Sequence, residues 1–399
     1  MERKFNYNLI FLLILSIAIA VISTSLKNIQ FMSGVDEGYY LRYAHFIGEN
    51  GILGFRELFK EYINNQSNWL FPNPLRVGFI ILSAVWLKIL GYSFLNLAFL
   101  SLFSYAALLI LSYYYSKKYL GNRIALLFIV LLAFSPLNMA LSRRALLDST
   151  ANLFSIASIW MLWDFLQGKS KAKLILFIVI FSLSILVKET GVLFCPIFIA
   201  YLAFNNYKRR ENDYYRDLLF ISIVPLTIVG LVYFLLGCIP FIPLVSKIVI
   251  TSPGANPYAI NYGAGPWYRY LIDYMLLSPA VIILALGFLI RSFLDKEDNR
   301  LVIYFIFISV LSFILFNTFT KNVRYVLFLD TPIRLFFLLA LNKMLERLMP
   351  HNFKRILFLV VILIAFLDYL SFKDLFIDSR IYDPVSFSLL GARHIIPIH

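Results

Sequence analysis

An all-α bundle that crosses a membrane many times is what this sequence predicts. Three observations carry that prediction. The 399-residue chain is 61% hydrophobic and only 15% charged, long uncharged runs recur from end to end, and Lys and Arg gather in short loops between those runs. The net charge of +14 would suit a nucleic-acid ligand, but there is no long basic arm or basic helix. Positive charge confined to loops is the ordinary pattern of a polytopic membrane protein, so nucleic acid is not expected as a partner. Cys195 and Cys238 both sit inside apolar runs, so neither a disulfide framework nor a metal cluster is expected.

The first apolar run, from residue 7 to 26, follows a basic start and is long enough to span; it reads as an uncleaved anchor. Further apolar helices are predicted near 93–115, 124–139, 149–166, 173–187, 190–204, 218–238, 270–290, 301–319, 325–342 and 356–372, about eleven spans in all. The segment between Arg76 and Lys88 is too short to cross and reads as a helix lying on one face. With residues 1–6 inside, more than half of the 36 Lys and Arg fall in the short inside loops. These include Arg3 and Lys4, Lys117 and Lys118, Lys169 to Lys173, Arg210, Lys296 and Lys354. Counting 75–90 as a crossing would invert every later loop. This layout places the N-terminus in the cytoplasm and makes residues 27–92 a long external loop with interfacial helices. It sets a membrane domain over 1–372, with a short external tail over 373–399.

Polar residues collect on the external face of this layout. "DEGYYLRYAHFIGEN" opens with Asp36 and Glu37, and Tyr40, Tyr43, Ala44 and Ile47 form one apolar helical face behind them. "LSRRALLDST" brings Arg143, Arg144 and Asp148 to the end of a span. "LVKETG" brings Lys188 and Glu189, and "KNVRY" adds Arg324 and Tyr325. Charges beside spans are costly away from water and are often functional. Each also has a plainer reading. Outer basic residues snorkel to headgroups, Asp148 can pair with Arg144 at i, i+4, Glu37 favours a helix N-terminus, and Asp330 with Arg334 suits mutual neutralisation inside a span. His45, His351, His394 and His399 are scattered and read as surface residues. Asn65 fits a glycosylation sequon. No Walker loop, G-x-G-x-x-G, H-E-x-x-H or G-x-S-x-G motif is present.

Transfer of a sugar from a lipid phosphate suits this set. The leaving phosphate ester is stable as an anion, so the reaction needs a carboxylate base for the attacking hydroxyl and cations for the departing phosphate. Neighbouring side chains on a helix diverge by about 100°, so Asp36 is expected as the base and Glu37 as the group that orients it or the acceptor.

These stretches resemble the GT-C superfamily of membrane glycosyltransferases. The resemblance is strongest to glycosyltransferase family 39, which includes the dolichyl-phosphate-mannose protein mannosyltransferases and the bacterial aminoarabinose transferases. It is carried by "VDEGYY", "FPNPLRVGFIILSAVWLKILG", "LLAFSPLNMALSRRALLDS", "LVKETGVLFCP" and "KNVRYVLFLDTPIRLFFLLAL", in family order from about residue 30 to 342. It implies a GT-C bundle in which Asp36 is the catalytic base, and Asp148 with Arg143 or Arg144 forms a second outer-loop site. Lys188, Arg324 and Arg76 would contact the lipid phosphate, with Glu189 and Tyr325 in the same donor-binding group. The donor would be a polyprenyl phosphate sugar, and the acceptor a protein, a lipid or a polysaccharide. The resemblance admits a divalent metal near the outer carboxylates, though no ligand spacing here calls for one. Pro72-Asn73-Pro74 departs from the family's paired prolines, and no sizeable outer domain follows residue 372. The rival readings are a flippase or secondary transporter of lipid-linked sugars, with charges near the bilayer midplane, and a polymerase or ligase using a diphosphate-linked glycan.

Overall fold

A computed structural model describes residues 6–27, 29–209, 214–254, 256–295, 299–318 and 320–395. Arg3, Lys4, Arg210 and Lys296, used above to orient the chain, and His399 lie outside the described residues.

The described residues form helices joined by turns and loops, with no strand among them. In chain order, the first helices are α1 (Tyr7–Leu26), α2 (Asp36–Asn50), α3 (Phe55–Asn64), α4 (Val77–Leu90) and α5 (Phe94–Leu120). They are followed by α6 (Asn122–Ala133), α7 (Pro136–Ser142), α8 (Asp148–Gly168), α9 (Lys171–Val187), α10 (Phe194–Arg209) and α11 (Tyr214–Leu235). Short helices α12 (Ile242–Thr251) and α13 (Pro257–Gly263) precede α14 (Arg269–Leu277), α15 (Pro279–Leu294) and α16 (Arg300–Phe316). The chain closes with α17 (Asp330–Leu348), α18 (Phe353–Phe372) and α19 (Ser386–Ala392).

Every apolar stretch predicted from the sequence coincides with one or two of these helices. Among the described residues, six helices are long and apolar enough to cross a membrane, and a seventh crossing is formed if α6 and α7 count as one bent span. The protein is therefore a multi-pass membrane protein. The expected number of about eleven is not reached by length and hydropathy alone. α15 and α16 are short, and α8 is too polar to pass. The polarity of α8 follows from its position at the centre of the bundle. Thr150 meets Ser104 of α5 at 2.8 Å, Asn152 donates to Asn138 of α7 at 2.9 Å, and Trp160 stacks on Tyr115. Such contacts hold helices together where lipid offers no hydrophobic drive.

Two local features set the frame of the site. The break between α6 and α7 bends the path by 60°. Ser135 caps α7 through its side chain and Pro136 follows at the first helical position, where a missing N–H costs nothing. At the entry to α2, a side chain at Gly38 would collide with the Ser33 carbonyl at 1.8 Å, so only glycine permits this tight approach. The turn leaves Asp36 as the first residue of α2, and the apolar face read from the sequence is buried as expected, with Tyr40, Tyr43, Ala44 and Ile47 all covered.

Within the bundle, Arg334 of α17 donates to Asp330 at 2.9 Å and to Asp368 of α18 at 2.6 Å. Ser278 and Asn138 complete the shell of these acids, donating at 2.9 Å to Asp368 and 2.6 Å to Asp330. The neutralisation expected of Asp330 and Arg334 is thus present, with Asp368 added. Cys195 and Cys238 are buried singly.

Candidate active site

The charged motifs singled out in the sequence are tied to one another at one end of the bundle. Asp36, at the start of α2, accepts from Arg324 Nη2 at 3.1 Å, across 288 positions of the chain. Asp148, at the start of α8, accepts from Lys188 at 3.1 Å. Glu189, next along, takes two hydrogen bonds from Arg76, both 2.9 Å, and a third from Asn73 at 3.0 Å. Arg76 also reaches the Tyr40 hydroxyl. Glu37 accepts from Arg144 at 2.8 Å and from the backbone amides of Met32 and Ala145, both at 3.0 Å. Four ion pairs therefore lace together the five stretches that are scattered through the sequence.

The pairs stand within Coulombic reach of one another: Arg324 lies in the field of Asp36, Asp148 and Asp383, and Lys188 in that of Asp148, Arg76 and Glu189. Tyr325 places its ring 5.0 Å from the Lys188 ammonium. Lys188, Asp148, Arg324 and Tyr325 line a narrow cleft whose other wall is Phe194, Phe316 and Phe328. Charged and aromatic side chains thus meet along this cleft.

Exposure separates the two adjacent acids. The Asp36 side chain is 29% exposed, whereas that of Glu37 is wholly buried. Burial raises the Glu37 carboxyl above its ordinary range, against the pull of Arg144 and the two amides. Glu37 thus fastens the start of α2 to the loop ahead of α8. Arg143 and Arg144 each leave a buried Nε without a partner, and Arg324 leaves two nitrogens unmet. Its Nη1 and Nε are buried without a hydrogen-bond partner, although Nε lies 3.3 Å from Asp383. Spare guanidinium donors beside an ammonium are what an incoming phosphate requires. Burial also pushes the Lys188 ammonium below the usual lysine range, against the pull of Asp148.

One expected pair is replaced. Asp148 does not meet Arg144 at i, i+4, because residues 143–147 are not helical and α8 starts only at Asp148. Arg143 faces elsewhere: it donates to the Phe376 carbonyl at 3.2 Å and lies 5.9 Å over the Phe372 ring. Sequence reading missed Asp383, which accepts from Asn322 at 2.6 Å and from Tyr258 while facing Arg324. It lies in a polar stretch without periodicity, and no local signal distinguishes it. Asn73 was visible only as a departure from the paired prolines.

Among the described residues no set of three or more His, Cys, Asp or Glu side chains converges to hold a metal ion. Asp36, Asp148 and Glu189 each face a cation of the protein.

Residues 74–235 match the family model described as dolichyl-phosphate-mannose-protein mannosyltransferase. Comparison with curated proteins gives no match. Among solved structures, the chain is similar to ArnT from Cupriavidus metallidurans in the apo state, with 14% identity and a TM-score of 0.58, covering 91% of this chain and 75% of that one. ArnT bound to undecaprenyl phosphate matches with 15% identity and a TM-score of 0.53, over 96% of this chain and 72% of the other. An oligosaccharyltransferase from Archaeoglobus fulgidus, in complex with Zn and sulfate, matches with 14% identity and a TM-score of 0.58 over 90% of this chain; the present chain spans about half of its length, 52%. The chain therefore has the GT-C fold, and its segment 74–235 is similar to the dolichyl-phosphate-mannose-protein mannosyltransferase family.

Proposed function

We propose that the protein is an inverting glycosyltransferase that moves a sugar from a polyprenyl phosphate to an acceptor hydroxyl, at the external face of a membrane whose cytoplasmic side holds the N-terminus. The observation that supports it best is the half-open ion pair of Asp36 and Arg324 beside the Lys188–Asp148 pair. Asp36 is the reachable acid and Arg324 carries spare donors.

In this reading Asp36 takes the proton of the acceptor hydroxyl as its oxygen attacks the anomeric carbon. The bond from that carbon to the phosphate oxygen breaks on the opposite side, and its electron pair leaves with the polyprenyl phosphate. Arg324 and Lys188 hold the charge that develops there, in a site that costs little reorganisation because the protein already positions it. Asp148 holds Lys188, Glu189 holds Arg76 against Tyr40, and Glu37 holds the start of α2. No general acid is needed.

The test is mass spectrometry of lipid-linked sugars from cells carrying the wild type or Asp36→Asn at equal abundance. Accumulation of one polyprenyl phosphate sugar in the variant supports the transferase and gives the mass of its sugar. Identical lipid profiles would sink it and return attention to the transporter reading.

A further inference from the structure

Asn65-Gln66-Ser67 is the one N-x-S/T sequence in the chain, and the transfer proposed above makes no use of it. It joins the end of α3 to a 3-10 turn over Gln66–Leu70, and all three of its residues are exposed. α3 is amphipathic. Phe55, Leu58, Phe59 and Tyr62 are buried, while Glu57 pairs with Lys60 and Glu61 with Arg42 on the exposed side. Glu57, Glu61 and Asn65 follow one another at intervals of four residues, so the motif continues the charged side of the helix.

The side-chain geometry adds to the motif. Asn65 Oδ1 accepts from the Ser67 amide at 3.1 Å and from the Ser67 hydroxyl at 2.7 Å. The first bond is an ordinary Asx turn and alone would mark only a cap. The second sets the hydroxyl of the motif's third residue on the amide of its first. Two donors on Oδ1 draw electron density to the oxygen and make the Nδ2 protons more acidic, which readies the nitrogen for bonding to carbon. Nδ2 itself makes no hydrogen bond among the described residues. The turn is held from behind. The Asn65 backbone amide donates to the Glu61 carbonyl at 3.1 Å, and the Trp69 indole donates to the Tyr62 carbonyl at 2.9 Å. A substituent on Nδ2 would displace none of these contacts.

We infer that Asn65 is a covalent modification site: its Nδ2 carries an N-linked saccharide, placed there by a separate enzyme from a saccharide on a polyprenyl diphosphate. The bond from Nδ2 to the anomeric carbon forms as the bond from that carbon to the diphosphate oxygen breaks. The diphosphate leaves with the electron pair, and one Nδ2 proton passes to a base of the transferring enzyme. The inference rests on the outward placement of residues 27–92 in the reading above, since Asn65 must face the side on which such donors are used. At Asn65 the chain is a substrate; at Asp36 it is the catalyst.

The test is peptide mass spectrometry of the full chain purified from the membranes of its own cells. The wild-type peptide that contains Asn65 is expected to carry the added mass of whole sugar residues. That mass should vanish in Asn65→Gln and in Ser67→Ala and persist in Ser67→Thr. Asn65 and Ser67 are both exposed, so these variants fold. An unmodified wild-type peptide overturns the inference. So does a saccharide that survives Asn65→Gln but is lost in Ser67→Ala, because it then sits on the Ser67 hydroxyl. A parallel experiment separates this failure from failure of the outward placement. Asn65→Cys is treated, in intact cells, with a maleimide that cannot cross membranes; Cys195 and Cys238 are buried and stay unlabelled. Labelling is expected. Labelling together with an unmodified wild-type peptide leaves residues 27–92 outside and removes only the saccharide. No labelling, with the variant present at wild-type abundance, overturns the outward placement and the modification with it.

Discussion

Arg324 and Arg334 stand ten residues apart in one stretch of chain, and each faces two aspartates. Around Arg334 the account is closed. Its partners Asp330 and Asp368 are 4% and 6% exposed, and Ser278 and Asn138 fill the remaining positions. Around Arg324 it is open: Asp36 is 29% exposed, Asp383 is 18% exposed, and two guanidinium nitrogens lack hydrogen bonds. The same residue types therefore act as architecture in one place and, in the function proposed above, as a site in the other. What separates them is whether the protein itself satisfies every donor and acceptor.

That contrast can be broken by substitution. The largest effect is expected at Asp36→Asn, where sugar transfer should fall by about 10² to 10⁴ while the melting temperature stays near wild type; an active variant would remove the base. Arg334→Leu should behave in the opposite way. It strands two buried acids at a cost of about 3–5 kcal/mol, so the folded yield collapses on a size-exclusion profile. A variant that melts like the wild type but is inactive would move Arg334 into the machinery. Lys188→Gln should weaken donor binding by about ten- to a hundredfold with a smaller change in turnover, measured as KM against kcat. Because burial lowers the Lys188 pKa, its charge is lost at a lower pH than that of a free lysine. Donor affinity should then decline as pH rises through that lowered value, and Lys188→Arg should shift the decline to higher pH. The smallest effect is expected at Asp383→Asn, a few-fold rise in donor KM as Arg324 loses one of its two guides; an unchanged KM would make Asp383 a bystander.

Much of this was legible in the sequence, for reasons that differ by element. The apolar runs found their helices because hydropathy and length are local properties, and the buried face of α2 followed from its spacing. α8 kept its helix but not its lipophilic character, since its Ser, Thr and Asn side chains face protein and not lipid. The motif charges were visible, but their partners were not. The spacing allows Asp148 to pair with Arg144, but a bend ahead of α8 removes that helical spacing and Lys188 is its partner. Asp383 was invisible because its role depends on Asn322, Tyr258 and Arg324 reaching it across 61, 125 and 59 positions of chain respectively.

The tail's attachment has a consequence for how the protein is made. Asp383 is held by Arg324, Asn322 and Tyr258, and Arg393 beyond it is bound to the Leu276 carbonyl and Ser371. The charge cluster is thus closed by a segment that follows, in chain order, all of the helices around the cleft. Until residues near 383 have been delivered to the correct side, Arg324 has only Asp36 to orient it. A nascent chain that has emerged only as far as α18 would carry every helix around the cleft and still lack Asp383, so the surroundings of Arg324 are completed only after those helices are made.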